Sequence, residues 1–159
     1  MHAREGGMDE VLIRPAGVQD VEVLLPLVAA YHSFEKVTLT EPERRRALAD
    51  LLADPALGFV LRLDVGGMAA GYAAVCFGYS IEFGGRDAFL DELYLVPEAR
   101  HHGLGARLVA EAKACAAGCG VRALHLEVDA DNAVAQLLYA RNGFELRGAF
   151  KMMSAPLTA

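Results

Sequence analysis

The sequence predicts a mixed α/β fold, a central and mostly antiparallel sheet with helices on both faces. Two stretches carry that reading. Residues 59–65 and 68–77 are strand-like runs separated by Gly66-Gly67, a pair that accepts positive φ and so suits a tight hairpin. A third run at 88–96 follows and completes a meander. From Pro97 onward the rhythm changes to helix, strand and helix at 104–117, 123–128 and 132–141. A meander passing into alternating α and β elements makes one layered domain.

The remaining elements fit that frame. Residues 11–14 read as an opening strand ended by Pro15. Residues 18–30 place Val21, Leu24, Leu25, Leu27 and Val28 at helical spacing, with Pro26 expected to kink the helix or move its boundary. The string YHSFEK at 31–36 reads as a loop. Helix 41–53 has Thr40 as its cap and Pro42 in its first turn. Residues 78–86 read as a glycine-bearing connection, Gly118 to Gly120 and Gly143 as helix stops, and 149–154 as a last strand. Residues 1–9 are expected to be a flexible tail and 10–159 a single domain.

A chain of 159 residues, 54% hydrophobic and 23% charged, is long enough to build its own core. No apolar run approaches the ~20 residues needed to cross a bilayer. The N-terminus lacks the apolar centre of a signal peptide, so a cytoplasmic protein without a membrane partner is expected. A net charge of -6 argues against nucleic acid and is compatible with a cationic substrate. The three cysteines, Cys76, Cys115 and Cys119, read as reduced thiols. Cys115 and Cys119 share a helix face but lack two further ligands, so no metal is expected.

Between the third strand and the helix that follows lies RHHGLG, residues 100–105. Gly103 and Gly105 let the backbone approach an anion, so that successive N–H groups and the positive end of the helix point at it. Arg100 adds a charged donor. A dinucleotide-binding unit is disfavoured, because the loop follows a meander and lacks that fingerprint's third glycine.

Two stretches carry a resemblance. LDELYLVPEARHHGLGARLV at 90–109 and LEVDADNAVAQLLYARNGFE at 126–145 resemble the GNAT superfamily of acetyl-CoA-dependent N-acetyltransferases. The first keeps the R-x-x-G-x-G spacing. The second sets Asn132, Ala135, Tyr139, Gly143 and Phe144 at the spacing of the family's N-x-x-A-x-x-x-Y-x-x-x-G-F element. The order of elements is similar across nearly the whole chain. The resemblance implies a GNAT-like acyl-CoA N-acyltransferase fold with acetyl-CoA as co-substrate. It implies that Arg100, His101, His102, Gly103, Leu104, Gly105 and Ala106 meet the pyrophosphate. The main chain of Leu93, Tyr94 and Leu95 would pair with the pantetheine arm, which Asn132 and Ala135 also line. Positions 101 and 102 are commonly basic or glycine in the family. Two histidines there lead us to expect a CoA affinity that falls modestly as pH rises through the histidine range.

Acetyl transfer to an amine needs a base, because a free alkylamine has a pKa of about 10.4. It also needs a donor for the developing oxyanion and a proton for the departing thiolate. Asp91 and Glu92 are candidates for the base. As strand neighbours they are expected to point to opposite faces, so that one meets the substrate. In the polyamine- and small-amine-acetylating branch, the acid matching Asp91 acts as base and the one matching Glu92 helps hold the amine. Tyr139 is the expected proton donor to the thiolate, and Asn132 also caps its helix. Tyr31, Glu35, Tyr79, Glu82, Phe83 and Glu127 are candidates for the amine, since carboxylates and aromatic rings suit an ammonium group. His125, between apolar residues, reads equally as a satisfied core histidine or a ligand contact.

The expected activity is transfer from acetyl-CoA to a primary amine of a small molecule (polyamine, aminoglycoside or amino-acid-like) by direct attack in a ternary complex. The alternatives are a protein lysine or N-terminal acetyltransferase and a catalytically silent acyl-CoA-binding regulatory domain. The resemblance also implies a homodimer.

Overall fold

Five strands form one sheet in sequential order, β1 to β5, in the computed structural model, which describes residues 9–157. The expected tail lies, apart from Asp9, outside the described residues. Strands β1 (Val11–Pro15), β2 (Gly58–Val65), β3 (Met68–Ser80) and β4 (Gly85–Leu95) pair antiparallel with their neighbours. Strand β5 (Leu124–His125) returns parallel to β4 after a helical crossover. Residues up to Glu127 pack as one compact unit, and those from Val128 onward form a second, small one.

Alternation along the strands divides the core into two layers. Val60, Tyr72 and Ala74 meet Leu24, Leu25, Leu27 and Val28 of α1 (Val21–Phe34) and Leu48 of α2 (Glu41–Ala53). Their neighbours Leu61, Leu63, Ala73 and Val75 are buried on the other face, the side of Leu104, Leu108, Val109 and Ala112 of α3 (Leu104–Gly118). Thr40 caps α2 as expected, accepting from the Glu43 amide while the Glu43 carboxylate accepts from the Thr40 amide.

Several boundaries differ from expectation. Residues 31–34 are the last turn of α1, not loop, because Tyr31 and His32 continue the buried stripe of Leu24, Leu27 and Val28 at three- and four-residue spacing. Pro26 lies exposed in that helix, which is preceded by a 3-10 turn at Val18–Asp20. The connection at 78–86 is mostly hairpin. Tyr79 pairs with Arg86, whose guanidinium lies 4.5 Å over Phe77, and only 81–84 form the turn. Strand β5 is two residues long, and 149–154 carries no strand. Apolar composition suggested both strands, but a strand exists only where a neighbour pairs with it.

In the small unit, Asn132 Oδ1 accepts from the Ala135 amide at 3.1 Å and so caps α4 (Ala133–Arg141). Gly143 follows at φ 87. The Tyr139 and Phe144 rings meet edge to face at 5.8 Å.

Candidate functional site

Strand β4 and the loop after it organise the site. The register with β3 slips once: Leu90 pairs with Val75 and Glu92 with Ala74, leaving Asp91 as an extra, unpaired residue. This is a β-bulge, which bends a strand and re-aims its side chains. It overturns the expectation that Asp91 and Glu92 point to opposite faces. Both carboxylates act on the same two groups, Tyr72 and Cys76. The alternation argument held only for an unbroken ladder.

The pair differs in its surroundings. Glu92 Oε1 accepts from the Tyr72 hydroxyl at 2.8 Å, and its Oε2 lies 2.5 Å from His32 Nε2. Among the described residues no hydrogen bond reaches the Asp91 carboxylate. Asp91 keeps an open surface, yet the protein crowding its carboxyl pushes its pKa above the usual aspartate range, opposed by the His32 ring. Burial first, then Glu92, holds the Tyr72 phenol protonated. Burial and the two carboxylates also push the Cys76 thiol up to about 11.

Strand β4 has two different edges. Strand β5 pairs only with Ala88 and Phe89, so from Leu90 to Leu95 the edge away from β3 has no strand against it among the described residues. Leu93, Tyr94 and Leu95 lie on this stretch, paired on the β3 side with Ala73, Tyr72 and Gly71. The chain then turns through Pro97–Ala99 into the loop. Arg100 is directed back over the strand, its Nε donating to the Leu95 carbonyl at 3.0 Å and its guanidinium 5.7 Å from the Tyr94 ring. His101 (φ 66) and Gly103 (φ 74) both adopt the left-handed region, which aims the following amides to one side. Arg107 is the first α3 residue whose N–H returns to the loop, at Gly103. Among the described residues, the amides of Leu104, Gly105 and Ala106 have no acceptor, as at any open helix N-terminus.

Of the amine candidates, Tyr31 belongs to this cluster, its ring 6.4 Å from that of Tyr94, which tilts on Tyr72 at 6.3 Å. Glu35 is one helical turn further on and exposed. Tyr79, Glu82 and Phe83 lie at the far tip of the β3–β4 hairpin. The six residue steps from Gly85 to Asp91 separate that tip from the bulge by about 20 Å of strand. Phe83 packs against His125 at 5.0 Å, and His125 Nε2 faces Asp87 Oδ2 at 3.3 Å, so His125 is a partnered histidine. Glu127 is exposed beyond β5. Asn132, Ala135 and Tyr139 belong to the small unit.

Sequence reasoning missed His32, Arg44 and Tyr72. His32 was legible in principle, four residues after Val28 on a continuing apolar stripe. Tyr72 stood in a strand without any mark of its partner, and Arg44 in a row of three arginines.

A strand with one unpaired edge, leading into an amide-lined loop at a helix N-terminus, is the architecture of an acyl-CoA-dependent acyltransferase. The chain belongs to the acetyltransferase (GNAT) family, whose sequence model matches residues 25–144. It is similar to the uncharacterized N-acetyltransferase YhfO of Bacillus subtilis (strain 168), 28% identical over 84% of this chain and 89% of that protein. Among solved structures, an integron cassette protein from the mobile metagenome of Cole Harbour Salt Marsh is 31% identical. The two superpose with a TM-score of 0.81 over 92% of this chain and 91% of that one. The aminoglycoside N-acetyltransferase AAC(6')-Iy in complex with CoA shares the fold, with a TM-score of 0.81 at 16% identity over 98% of this chain and 100% of that one. The protein is an acetyl-CoA-dependent acyltransferase.

Proposed function

We propose that the chain acetylates a primary amine of a small molecule by direct attack within a ternary complex, with Asp91 as the general base. The observation that carries this reading is the bulge. It leaves one carboxylate unbonded and raised in pKa beside the open edge of β4. A base of raised pKa is better matched to removing a proton near neutral pH.

Asp91, directly or through a water, accepts a proton from the substrate ammonium and so frees the nitrogen lone pair. A main-chain N–H on the open edge of the stretch from Leu93 to Leu95 is the donor for the thioester oxygen. The free amides of Leu104, Gly105 and Ala106, with His101, His102, Gly103 and Arg100, fit the pyrophosphate of acetyl-CoA. Acetyl-CoA supplies the acetyl group: the new N–C bond forms as the C–S bond breaks. Tyr139 donates a proton to the departing sulfur, a role resting on its spacing from Asn132 and Ala135. The raised pKa of Cys76 keeps that thiol protonated, which favours direct transfer over a route through an acetylated cysteine. The neighbouring rings of Tyr31 and Tyr94, with Asp91 on the same strand as Tyr94, suit an ammonium group. A cytoplasmic homodimer built on a single domain is the accompanying expectation.

Release of free CoA thiol from acetyl-CoA is the assay, run against diamines, aminoglycosides, amino acids and basic peptides. Turnover of the small amines above hydrolysis supports the proposal. Turnover of peptides alone favours a protein acetyltransferase, and binding of CoA without turnover a regulatory domain. Tyr139→Phe is expected to lower kcat by about 10-fold or more at the pH optimum. An unchanged kcat removes Tyr139 as the acid.

A further inference from the structure

Side chains from four elements meet end to end in the core layer between the sheet and helices α1 and α2. Arg44 of α2 donates from Nε to His32 Nδ1 at 3.2 Å. His32 of α1 lies with Nε2 2.5 Å from Glu92 Oε2 on β4, and Tyr72 of β3 donates its hydroxyl to Glu92 Oε1 at 2.8 Å. His32 is 6% exposed and Tyr72 1%. The direction of the chain follows from chemistry. A guanidinium has donors only, so Nδ1 must be the lone-pair nitrogen of the ring. The ring proton therefore sits on Nε2, and Nε2 donates to Glu92.

Two consequences follow for the acids. Neither nitrogen of His32 is left to take a proton from a substrate, which removes His32 as a base. Each oxygen of Glu92 already accepts from a donor of the surrounding elements, so Glu92 is an anchored carboxylate, whereas Asp91 beside it accepts nothing from the described residues. Glu92 is also the first paired residue after the bulge, opposite Ala74. Fixing its carboxylate to α1, α2 and β3 fixes the place where the strand's extra residue is displayed.

We propose that Arg44, His32 and Tyr72 form a positioning chain that locks Glu92, holds the bulge in β4, and leaves Asp91 as the one acid of the pair presented to the amine. The proposal rests on the reading of Asp91 given above, and it gives Glu92 a different part from the amine-holding role that the resemblance implies. The groups facing the His32 ring are Arg44 from α2, Tyr31 from α1, and Asp91 and Glu92 from β4, with Tyr72 from β3 on the far side of Glu92.

The first test needs no substrate. Long-range proton–nitrogen NMR spectra of the protein labelled with 15N-histidine report which ring nitrogen carries the proton. The His32 signals are those lost in His32→Gln. A ring protonated at Nε2 and bare at Nδ1 is expected near neutral pH. A ring protonated at Nδ1, or at both nitrogens, overturns the proposal.

The second test uses the amine with the highest turnover in the thiol-release panel. His32→Leu is expected to lower kcat/KM by about 10-fold or more, because Glu92, the first paired residue after the bulge, loses its donor from α1. His32→Gln, whose amide N–H reaches where Nε2 does, is expected to restore most of the rate. In a Glu92→Gln background, His32→Leu should cost less than about 2-fold, because the residue it acts through is already uncoupled. Equal losses in both backgrounds, or no recovery of rate in His32→Gln, describe a merely structural histidine and overturn the proposal. Full turnover by Asp91→Asn would instead sink the general-base reading, while leaving the NMR result to judge the chain.

Discussion

Strand β4 carries a histidine–carboxylate pair at each end, and the two ends are built differently. Asp87 faces His125, and Glu92 faces His32. The side chains are similarly sheltered, 16% and 18% exposed for the first pair and 18% and 8% for the second, so burial does not tell them apart. The sheet does. Near Asp87 the strand lies between β3 and β5 with unbroken register, and the His125 ring packs against Phe83 and Phe89. At Asp91 an extra residue interrupts the ladder and the β5 side is open. A complete sheet closes the Asp87 end, whereas an incomplete one leaves Asp91 available beside the locked pair at the other.

The comparison breaks most directly on asparagine substitutions. Asp91→Asn is expected to lower kcat by about 100-fold or more with acetyl-CoA affinity unchanged by calorimetry, and Asp87→Asn to stay within about 3-fold of wild type. Equal losses would mean that the bulge has no special standing.

Two glycines of β3 probe the same two ends for stability. A Cβ at Gly71, opposite Leu95, would lie 2.6 Å from the Tyr94 carbonyl oxygen, which cannot move without moving β4. A Cβ at Gly78, opposite Asp87, would meet the Asp87 Oδ1 at 2.7 Å, the end of a side chain that can rotate away. Gly71→Ala is expected to cost about 1–3 kcal/mol in a denaturant titration, and Gly78→Ala less than about 0.5 kcal/mol. Comparable costs would show that the open end is no more tightly fitted than the closed one.

These differences mark the limit of what the sequence makes legible. Thr40 with Pro42, Gly66-Gly67 and the run into Gly103 are local signals, because capping, positive φ and a helix start depend on residues a few positions apart. The α3 stripe is equally local. The bulge is not: the string around Asp91 reads as an ordinary strand, and only the register against Ala74 and Val75 reveals the extra residue. His32 went unread because YHSFEK has loop-like composition, although its spacing from Val28 continues the helix. The ends of β5 and the strand expected at 149–154 depended on pairing, which composition does not record.

Two aspartates of the larger unit sharpen the comparison through pH. Asp20, 3% exposed, accepts from Arg14, Arg62 and the Gly17 amide, and the Arg14 hydrogen bond leads in lowering its pKa from 3.8 to about 2. The folded state therefore binds its proton less readily than the unfolded chain. That stabilisation, about 2 kcal/mol, is complete above the ordinary value and lost as pH falls toward the folded one. Asp91 has the opposite sign. Its folded pKa is raised, so the folded state holds the extra proton and stability falls as pH rises from the unfolded value through the folded one. Unfolding free energies measured across the acid range should show Asp20→Asn flattening the low-pH loss. Asp91→Asn should gain relative to wild type as pH rises. An Asp91→Asn protein less stable than wild type near neutral pH would show that the carboxylate is stabilised in the fold and not held there at a cost.

The smallest effect concerns the loop at the open end. His101 holds φ 66, a conformation that histidine adopts more readily than a branched residue, and it stands with His102 just before the free amides of α3. Protonated imidazoles there add charge to what the amides and helix end already offer a phosphate. CoA affinity by calorimetry is therefore expected to fall a few-fold between about pH 5.5 and about pH 8.5. The ionisation of CoA's own terminal phosphate, near pH 6, works in the same window, so a reference is needed. Replacing both histidines by asparagine supplies it, since asparagine tolerates the left-handed region and carries no proton to lose. The difference between the two curves isolates the imidazoles. Superimposable curves would leave anion binding to backbone and helix alone, with His101 serving the loop only through its conformation.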